Sequence, residues 1–316
     1  MSPTSAWMNG KLIHSSQAVL PFWDLGVVAG ASISEMARTF QYQPFRLAEH
    51  LDRFAASCES LRFPLRHSRE ELHAAVSRVV ELNSPPGAAD RPTKSSGDLG
   101  IVVFCTAGAN ATYLSAGTDI GADWSDEGQT VIHTFPLPFA LWQTAMAAGL
   151  RLRIPLQRQL PENSFPVSHK TRNRLHWWLA DRAVASVDPS SKALLLDEQG
   201  FLTETSTSCF YAVIEGCIVT PDYSVLNSMS RQVVQELANE CAIPLVRRNL
   251  HPDELALASE AFVSSTPSCL LPVQSVDDLS IGEGASRPVF ERLLRAWSDR
   301  VDVDIRRQIL GEADRH

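Results

Sequence analysis

The stretch "KALLLDEQGFLTETSTSCFYAVIEGCIVTP" (Lys192–Pro221) decides the fold class, because short apolar runs alternate in it with turn signals. Three strands are expected, separated by Glu198-Gln199-Gly200 and Glu215-Gly216. Upstream, "FPVSHKTRNRLHWWLADRAV" (Phe165–Val184) carries Leu175, Trp178, Leu179 and Arg182 or Ala183 at helical spacing, which predicts a helix with Lys170 at its mouth. Downstream, a helix over "SRQVVQELANECAI" follows the irregular "YSVLNSM", and the strand "EAFVSST" runs into Pro267. Strands and helices mix without a regular βαβ alternation, so the class is α+β rather than a doubly wound sheet.

The front half reads the same way. Asn9-Gly10 is a hairpin turn signal. Leu47, Leu51, Phe54, Cys58 and Leu61 fall on one helical face of "RLAEHLDRFAASCESLRF", and a second helix, "SREELHAAVSRVVELN", starts at an N-cap Ser68. Residues 84–99, poor in apolar side chains and rich in Pro, Gly and Ser, read as a mobile surface loop. "GIVVFCTAG" after it is a buried strand. The strand-like "QTVIHTFPLPF" and "GLRLRIPLQ" bracket a boundary near residue 145, giving two α+β domains, 1–143 and 146–316.

A chain of 316 residues with 44% apolar and 20% charged residues is long enough for about two domains with ample core. Its net charge of −8 and scattered basic residues exclude a nucleic-acid footprint. Six cysteines lie far apart with no C-x-x-C pair, as buried thiols of a reducing compartment do. No apolar run approaches the roughly 20 residues that span a bilayer, and the first residues lack the pattern of a signal peptide, so a cytoplasmic protein without a membrane partner is expected. No metal is expected either.

Arginine carries nearly all the positive charge: only Lys11, Lys94, Lys170 and Lys192 are lysines. A buried or semi-buried lysine at Lys170, beside His169, Arg172 and Arg174, would have its ammonium form disfavoured by like charges and desolvation, and a neutral amine attacks carbonyls where a guanidinium does not. The alternative is a solvated lysine at a helix start. Glu204 shares a strand face with Leu202 and Ser206; it is either an exposed edge residue or an inward carboxylate suited to a pyridinium nitrogen. Ser228 and Ser230 either cap the next helix or help bind phosphate there, and Thr266 offers another hydroxyl. Arg53 is a surface residue or a phosphate clamp.

The order and spacing of these signals resemble the class IV aminotransferases, the fold-type IV pyridoxal-phosphate enzymes. These include branched-chain and D-amino-acid aminotransferases and 4-amino-4-deoxychorismate lyase. "NGKLIHSSQAVLPFWDLGVVAGASISEMART" is similar to the family's "NG…A…DxGxxxGdgxFExxR", and "RLAEHLDRFAASCESL" to its "HLxRLxxSa" helix. "HKTRNRL" resembles the lysine segment, "ALLLDEQGFLTETSTSCFYAV" the "LLLDxxGxvtExxxsNxF" hairpin, "VLNSMSRQVVQELA" the "LxGITRxxvxelA" turn, and "EAFVSSTPSCLLPVQSVDD" the "EvFxtgTaxxixPVxxvdg" strand.

The resemblance implies a two-domain fold like that of D-amino-acid aminotransferase, with pyridoxal 5'-phosphate as cofactor. Lys170 becomes the Schiff-base residue and Glu204 the partner of the ring nitrogen. Leu226 packs on the ring, and Arg53, Met229, Ser230 and Thr266 hold the phosphate. The lysine and most cofactor contacts then belong to the second domain and the clamp arginine to the first. The implied reaction is a ping-pong transfer of an amino group between an amino acid or amine and a 2-oxo acid. A homodimer is implied, with the site between the domains completed by a second subunit. Two alternatives stand: a lyase of the aminodeoxychorismate type, which releases pyruvate, and a non-catalytic relative.

Departures from the family pattern bear on substrate. Ala29 and Ser34 replace aromatic residues near "YGxxxFE" and reshape the pocket. Pro267 lacks the N–H that the family offers to a substrate carboxylate. Ala107, in "CTAG", stands where some members carry an arginine. Asn227-Ser228 replaces a glycine-containing turn. Glu35 matches the acid of "FE" and favours the aminotransferase branch, whereas "KTRNRL" is closer to the lyase's "KTLNRL".

Overall fold

Asn9 and Gly10 take φ values of 48° and 89°, and the turn they form joins β1 (Ser5–Met8) to β2 (Lys11–His14). Positive φ at both positions suits the right-handed twist of a hairpin. The computed structural model describes residues 4–86, 97–113, 128–282 and 286–311. Residues 87–96 of the expected loop, with Lys94, lie outside the described residues.

The chain divides into two units, Met1–Leu137 with His169–Arg174, and Pro138–Ser168 with Leu175–His316. In the first, β3 (Ser32–Phe40), β4 (Gln43–Pro44), β5 (Leu99–Thr106) and β6 (Thr130–Pro136) complete an antiparallel sheet ordered β2-β1-β6-β5-β3-β4. A single turn, α1 (Leu25–Val28), precedes β3, and α2 (Leu47–Ser60) and α3 (Arg69–Asn83) follow it. The stripe Leu47, Leu51, Phe54 and Cys58 of α2 is buried in one core with Ile33, Ala37, Ile101, Val103 and Ile132 of the sheet. Ser68 caps α3 in a reciprocal box with Glu71, which satisfies two backbone N–H groups at the helix start. Met8, Val102, Phe104 and Val131 form a second apolar cluster, as strand alternation requires.

The second unit contains β7 (Leu150–Arg153), β8 (Ser191–Leu196), β9 (Leu202–Thr205), β10 (Cys209–Ile214), β11 (Cys217–Thr220), β12 (Leu245–Arg247), β13 (Ala258–Ser265), β14 (Cys269–Val276) and β15 (Leu279–Ser280). They form a sheet ordered β12-β11-β10-β13-β14-β7-β8-β9, with β15 on β14. Because β9 also pairs with β10 at Glu204 and Cys209, the strands from β10 to β9 close into a ring. Its helices are α4 (Gln143–Ala148), α5 (Leu175–Val187), α6 (Met229–Glu240), α7 (Pro288–Val301) and α8 (Ile305–Leu310).

Four strands, not three, occupy Lys192–Pro221. The extra break lies between β9 and β10, where the Thr205 hydroxyl accepts from the Ser208 N–H at 3.0 Å and the Thr205 N–H donates to the Ser208 carbonyl at 2.9 Å. A Ser/Thr run forms such a reversal without glycine. α5 also differs from expectation: Trp177, Ala180 and Val184 are its buried stripe, packed on Ala193 and Leu195, while Leu175, Trp178 and Leu179 are exposed.

The domain division differs too. The break falls at Leu137/Pro138, and His169–Arg174 packs with the first unit. The cause is strand pairing: the Ser34 N–H donates to the Lys170 carbonyl at 2.8 Å, and the Arg172 N–H to the Ser32 carbonyl at 3.0 Å. Lys170 therefore lies beside the start of β3, five residues before α5 begins, and not at the helix mouth.

Candidate functional site

In the first unit, Thr171 is bridged to Ile33. The pair faces the helix-covered core to which Ile33 belongs, so Lys170 and Arg172 project from the opposite face, with Ser32 and Ser34. The Ser34 hydroxyl also reaches the Lys170 carbonyl at 3.5 Å. His169, one residue before, is held through both ring nitrogens, by Ser57 at 3.2 Å and Ser60 at 3.3 Å. Helix α2 thus secures the lysine segment from one side and β3 from the other.

Glu35 shares the Ile33 face of β3. Arg53 grips Glu35 with two parallel hydrogen bonds, Nε to Oε2 at 2.7 Å and Nη2 to Oε1 at 2.6 Å, and His50 Nδ1 lies 3.0 Å from Oε1. Burial pushes the Glu35 carboxyl up, but the Arg53 guanidinium and His50 outweigh it and bring the pKa down to about 2. Glu35 is 2% exposed and both its oxygens are engaged, so it orients Arg53. His50 went unnoticed in the sequence, where "AEHLDR" shows a helix but not what its i and i+3 side chains share.

The front motif is stitched to the "CTAG" segment by Asp24, also missed. Asp24 is 2% exposed and accepts from the Gly26 N–H at 2.6 Å and the Thr106 hydroxyl at 2.8 Å. Burial raises its pKa more than these two bonds lower it. A Cβ on Gly26 would come within 2.8 Å of Asp24 Oδ1 and of Thr106 Cγ2, which explains the glycine. Ala107 donates its N–H to the Ala31 carbonyl at 3.1 Å, and Ala29 closes α1. Asp24→Ala is expected to cost about 1–3 kcal/mol, the sum of a lost cap and a buried hydroxyl left without its acceptor. Urea unfolding measures it; a loss under 0.5 kcal/mol, on the order of a surface substitution, would contradict the stitching role.

In the second unit, Glu204 accepts from the Leu226 N–H at 3.2 Å and from Gln159 Nε2 at 3.5 Å. Gln159 is 2% exposed and also donates to the Ser224 carbonyl at 3.2 Å; the isolated "LQRQL" gives no hint of it. Ser228 caps α6 by accepting from the Arg231 N–H at 3.1 Å, and a hydroxyl chain runs from Ser228 through Ser230 and Ser264 to Tyr211 in steps of 3.0–3.1 Å. Thr266 sits in the turn after β13, and its hydroxyl makes no hydrogen bond among the described residues.

Comparison with known proteins decides the family. The model for Amino-transferase class IV matches residues 32–276. This chain belongs to that family.

Among other class IV aminotransferases, the branched-chain-amino-acid aminotransferase of Escherichia coli is 27% identical over 92% of this chain and 91% of its own length. The putative branched-chain enzyme of Methanocaldococcus jannaschii is 26% identical over 93% and 95%. Solved structures similar to this chain include the branched-chain aminotransferase of Escherichia coli, at a TM-score of 0.80, 25% identity and 94% coverage of both chains. The T.th. branched-chain aminotransferase with pyridoxamine 5'-phosphate has a TM-score of 0.80 at 26% identity, covering 95% of this chain and 94% of that one.

The second unit's donors suit the phosphate of such a cofactor. The first-turn N–H groups of Met229 and Ser230 have no partner inside α6 and carry the positive end of its dipole, and the Thr266 hydroxyl is uncommitted. Among the described residues no group of three His, Cys, Asp or Glu side chains is placed to hold a metal ion, and no helix is long and apolar enough to cross a membrane.

Proposed function

We propose that this class IV aminotransferase moves an amino group between an amino donor and a 2-oxo acid by a ping-pong reaction, with pyridoxal 5'-phosphate held at Lys170. The observation that carries the reading is the lysine itself, fixed by main-chain bonds on both sides to β3, in a chain whose other basic residues are nearly all arginine.

When bound, the cofactor supplies an aldehyde that captures amino groups and a pyridinium ring that spreads negative charge. Lys170 supplies the amine that attaches to that aldehyde and, once displaced, takes the proton from the substrate carbon. Glu204 keeps a proton on the ring nitrogen, while Gln159 and the Leu226 N–H hold its carboxylate in place. Leu226 packs on the ring. Met229, Ser230, Thr266 and Arg53 hold the phosphate. Phe22, Leu141 and Leu156, which are 71%, 77% and 93% exposed, are consistent with a homodimer.

The test is a panel of amino donors with a 2-oxo acid acceptor, read as amino acid formed from the acceptor. Amino product is expected only when both are present. Pyruvate released without an acceptor would turn the reading to the lyase branch that "KTRNRL" resembles, and no turnover of any donor would leave a non-catalytic relative. Glu204→Gln is expected to lower kcat about 100-fold, within the range typical of proton-managing groups, while cofactor stays attached at Lys170. An unchanged kcat would remove Glu204 from the reaction.

A further inference from the structure

Two donors that relatives offer to a substrate carboxylate are missing here, the N–H at Pro267 and an arginine at Ala107. The first unit presents another cation nearby in sequence and on the same face as the lysine. Arg172 lies two residues after Lys170, and the strand pairing of Ser34 with Lys170 and Ser32 with Arg172 turns both side chains away from the Ile33 core. Its guanidinium carbon stands 4.5 Å from the centre of the Phe104 ring, and Phe104 is paired with Ser34 across β5 and β3. Lys170, Ser34, Phe104 and Arg172 therefore form one patch.

Among the described residues, no side chain or carbonyl accepts a hydrogen bond from the Arg172 guanidinium. The residue is exposed, so its donors are reachable, yet packing around the head group lowers its pKa. The nearby His133 is lowered first by burial and then by the Arg172 charge. A partly desolvated guanidinium seated over an aromatic ring, with its fork unpaired, is matched by a planar anion that accepts two parallel hydrogen bonds. A carboxylate has that shape. The lysine motif that this segment resembles has leucine at the same place.

We propose that Arg172 binds the carboxylate of the substrate and so selects amino acids and 2-oxo acids over simple amines. The inference rests on the aminotransferase reading for the identity of the substrate, but not for the anion binding itself. It also explains how the chain dispenses with the donors lost at Ala107 and Pro267.

The test uses the holoenzyme and two unreactive probes, 4-methylvaleric acid and its neutral amide, titrated by calorimetry into wild type, Arg172→Leu and Arg172→Lys. Wild type is expected to bind the acid at least ten-fold more tightly than the amide, Arg172→Leu to bind both alike, and Arg172→Lys to keep part of the preference. With donors, Arg172→Leu is expected to raise KM for amino acids ten-fold or more with kcat within about three-fold, leaving isoamylamine unchanged. An acid preference that survives Arg172→Leu, no acid preference in wild type, or an equal loss for amino acids and isoamylamine would overturn the assignment. Failure of the cofactor to attach at Lys170 would instead refute the aminotransferase reading, and the calorimetric arm would still decide whether Arg172 binds carboxylates.

Discussion

Lys170→Arg is expected to carry no covalently attached cofactor and to lose amino transfer by at least about 10⁴-fold, since it removes the nucleophile and the base together. The substitution keeps length and charge, so the loss isolates the one property a guanidinium lacks, a neutral amine. Its effect on folding should be small. The segment is held by the Lys170 carbonyl and the Arg172 N–H, which an arginine leaves in place, and the melting temperature should stay within about 2 °C, a change well under 1 kcal/mol. Single-turnover mixing with an amino donor measures the first effect and a thermal melt the second. Residual activity within ten-fold of wild type would mean that another amine does the chemistry.

Glu35→Gln is expected to cost roughly 3–5 kcal/mol at neutral pH, because it leaves the Arg53 guanidinium without its counter-charge. The same pair makes stability depend on acid. The Glu35 carboxyl titrates at about 2 when folded against an ordinary value of 4.5. Between those values the unfolded chain binds more protons, so stability rises with pH there. The contribution, on the order of 3 kcal/mol, is complete above about pH 4.5 and is lost as pH falls toward 2. Urea unfolding from pH 6 to pH 2 should show wild type and Glu35→Gln converging in acid. A gap that stays constant over that range would mean that the ion pair is not what the variant removes.

What the sequence disclosed was local. The Asn9-Gly10 turn, the cap at Ser68 and the buried stripe of α2 depend on neighbours within a few residues, and the structure has each of them. α5 shows the limit of such reading: its two Trp residues occupy adjacent positions, Trp177 and Trp178, and spacing alone supports either face. The packing of Trp177 on β8 decides between them. The site contacts that went unread depend on partners far along the chain. His169 reaches Ser57 across 112 positions, and Asp24 reaches Thr106 across 82. Gln159 meets Glu204 across 45 positions, and nothing around "LQRQL" marks it as a buried donor.

Arg172 is the clearest case, since it was visible only as one more arginine beside the lysine. Strand pairing gives it a face and Phe104 gives it a seat. It also alters the weight of Ala107 and Pro267: lost donors point away from carboxylate substrates only if nothing replaces them.

The central claim is that Lys170 is the attachment point of the cofactor. Borohydride reduction of the protein loaded with pyridoxal 5'-phosphate, followed by peptide mass spectrometry, tests it most directly. The account predicts a phosphopyridoxyl group on the peptide containing Lys170 and none on those containing Lys11, Lys94 or Lys192. Modification of another lysine with Lys170 untouched, or of none, would contradict it.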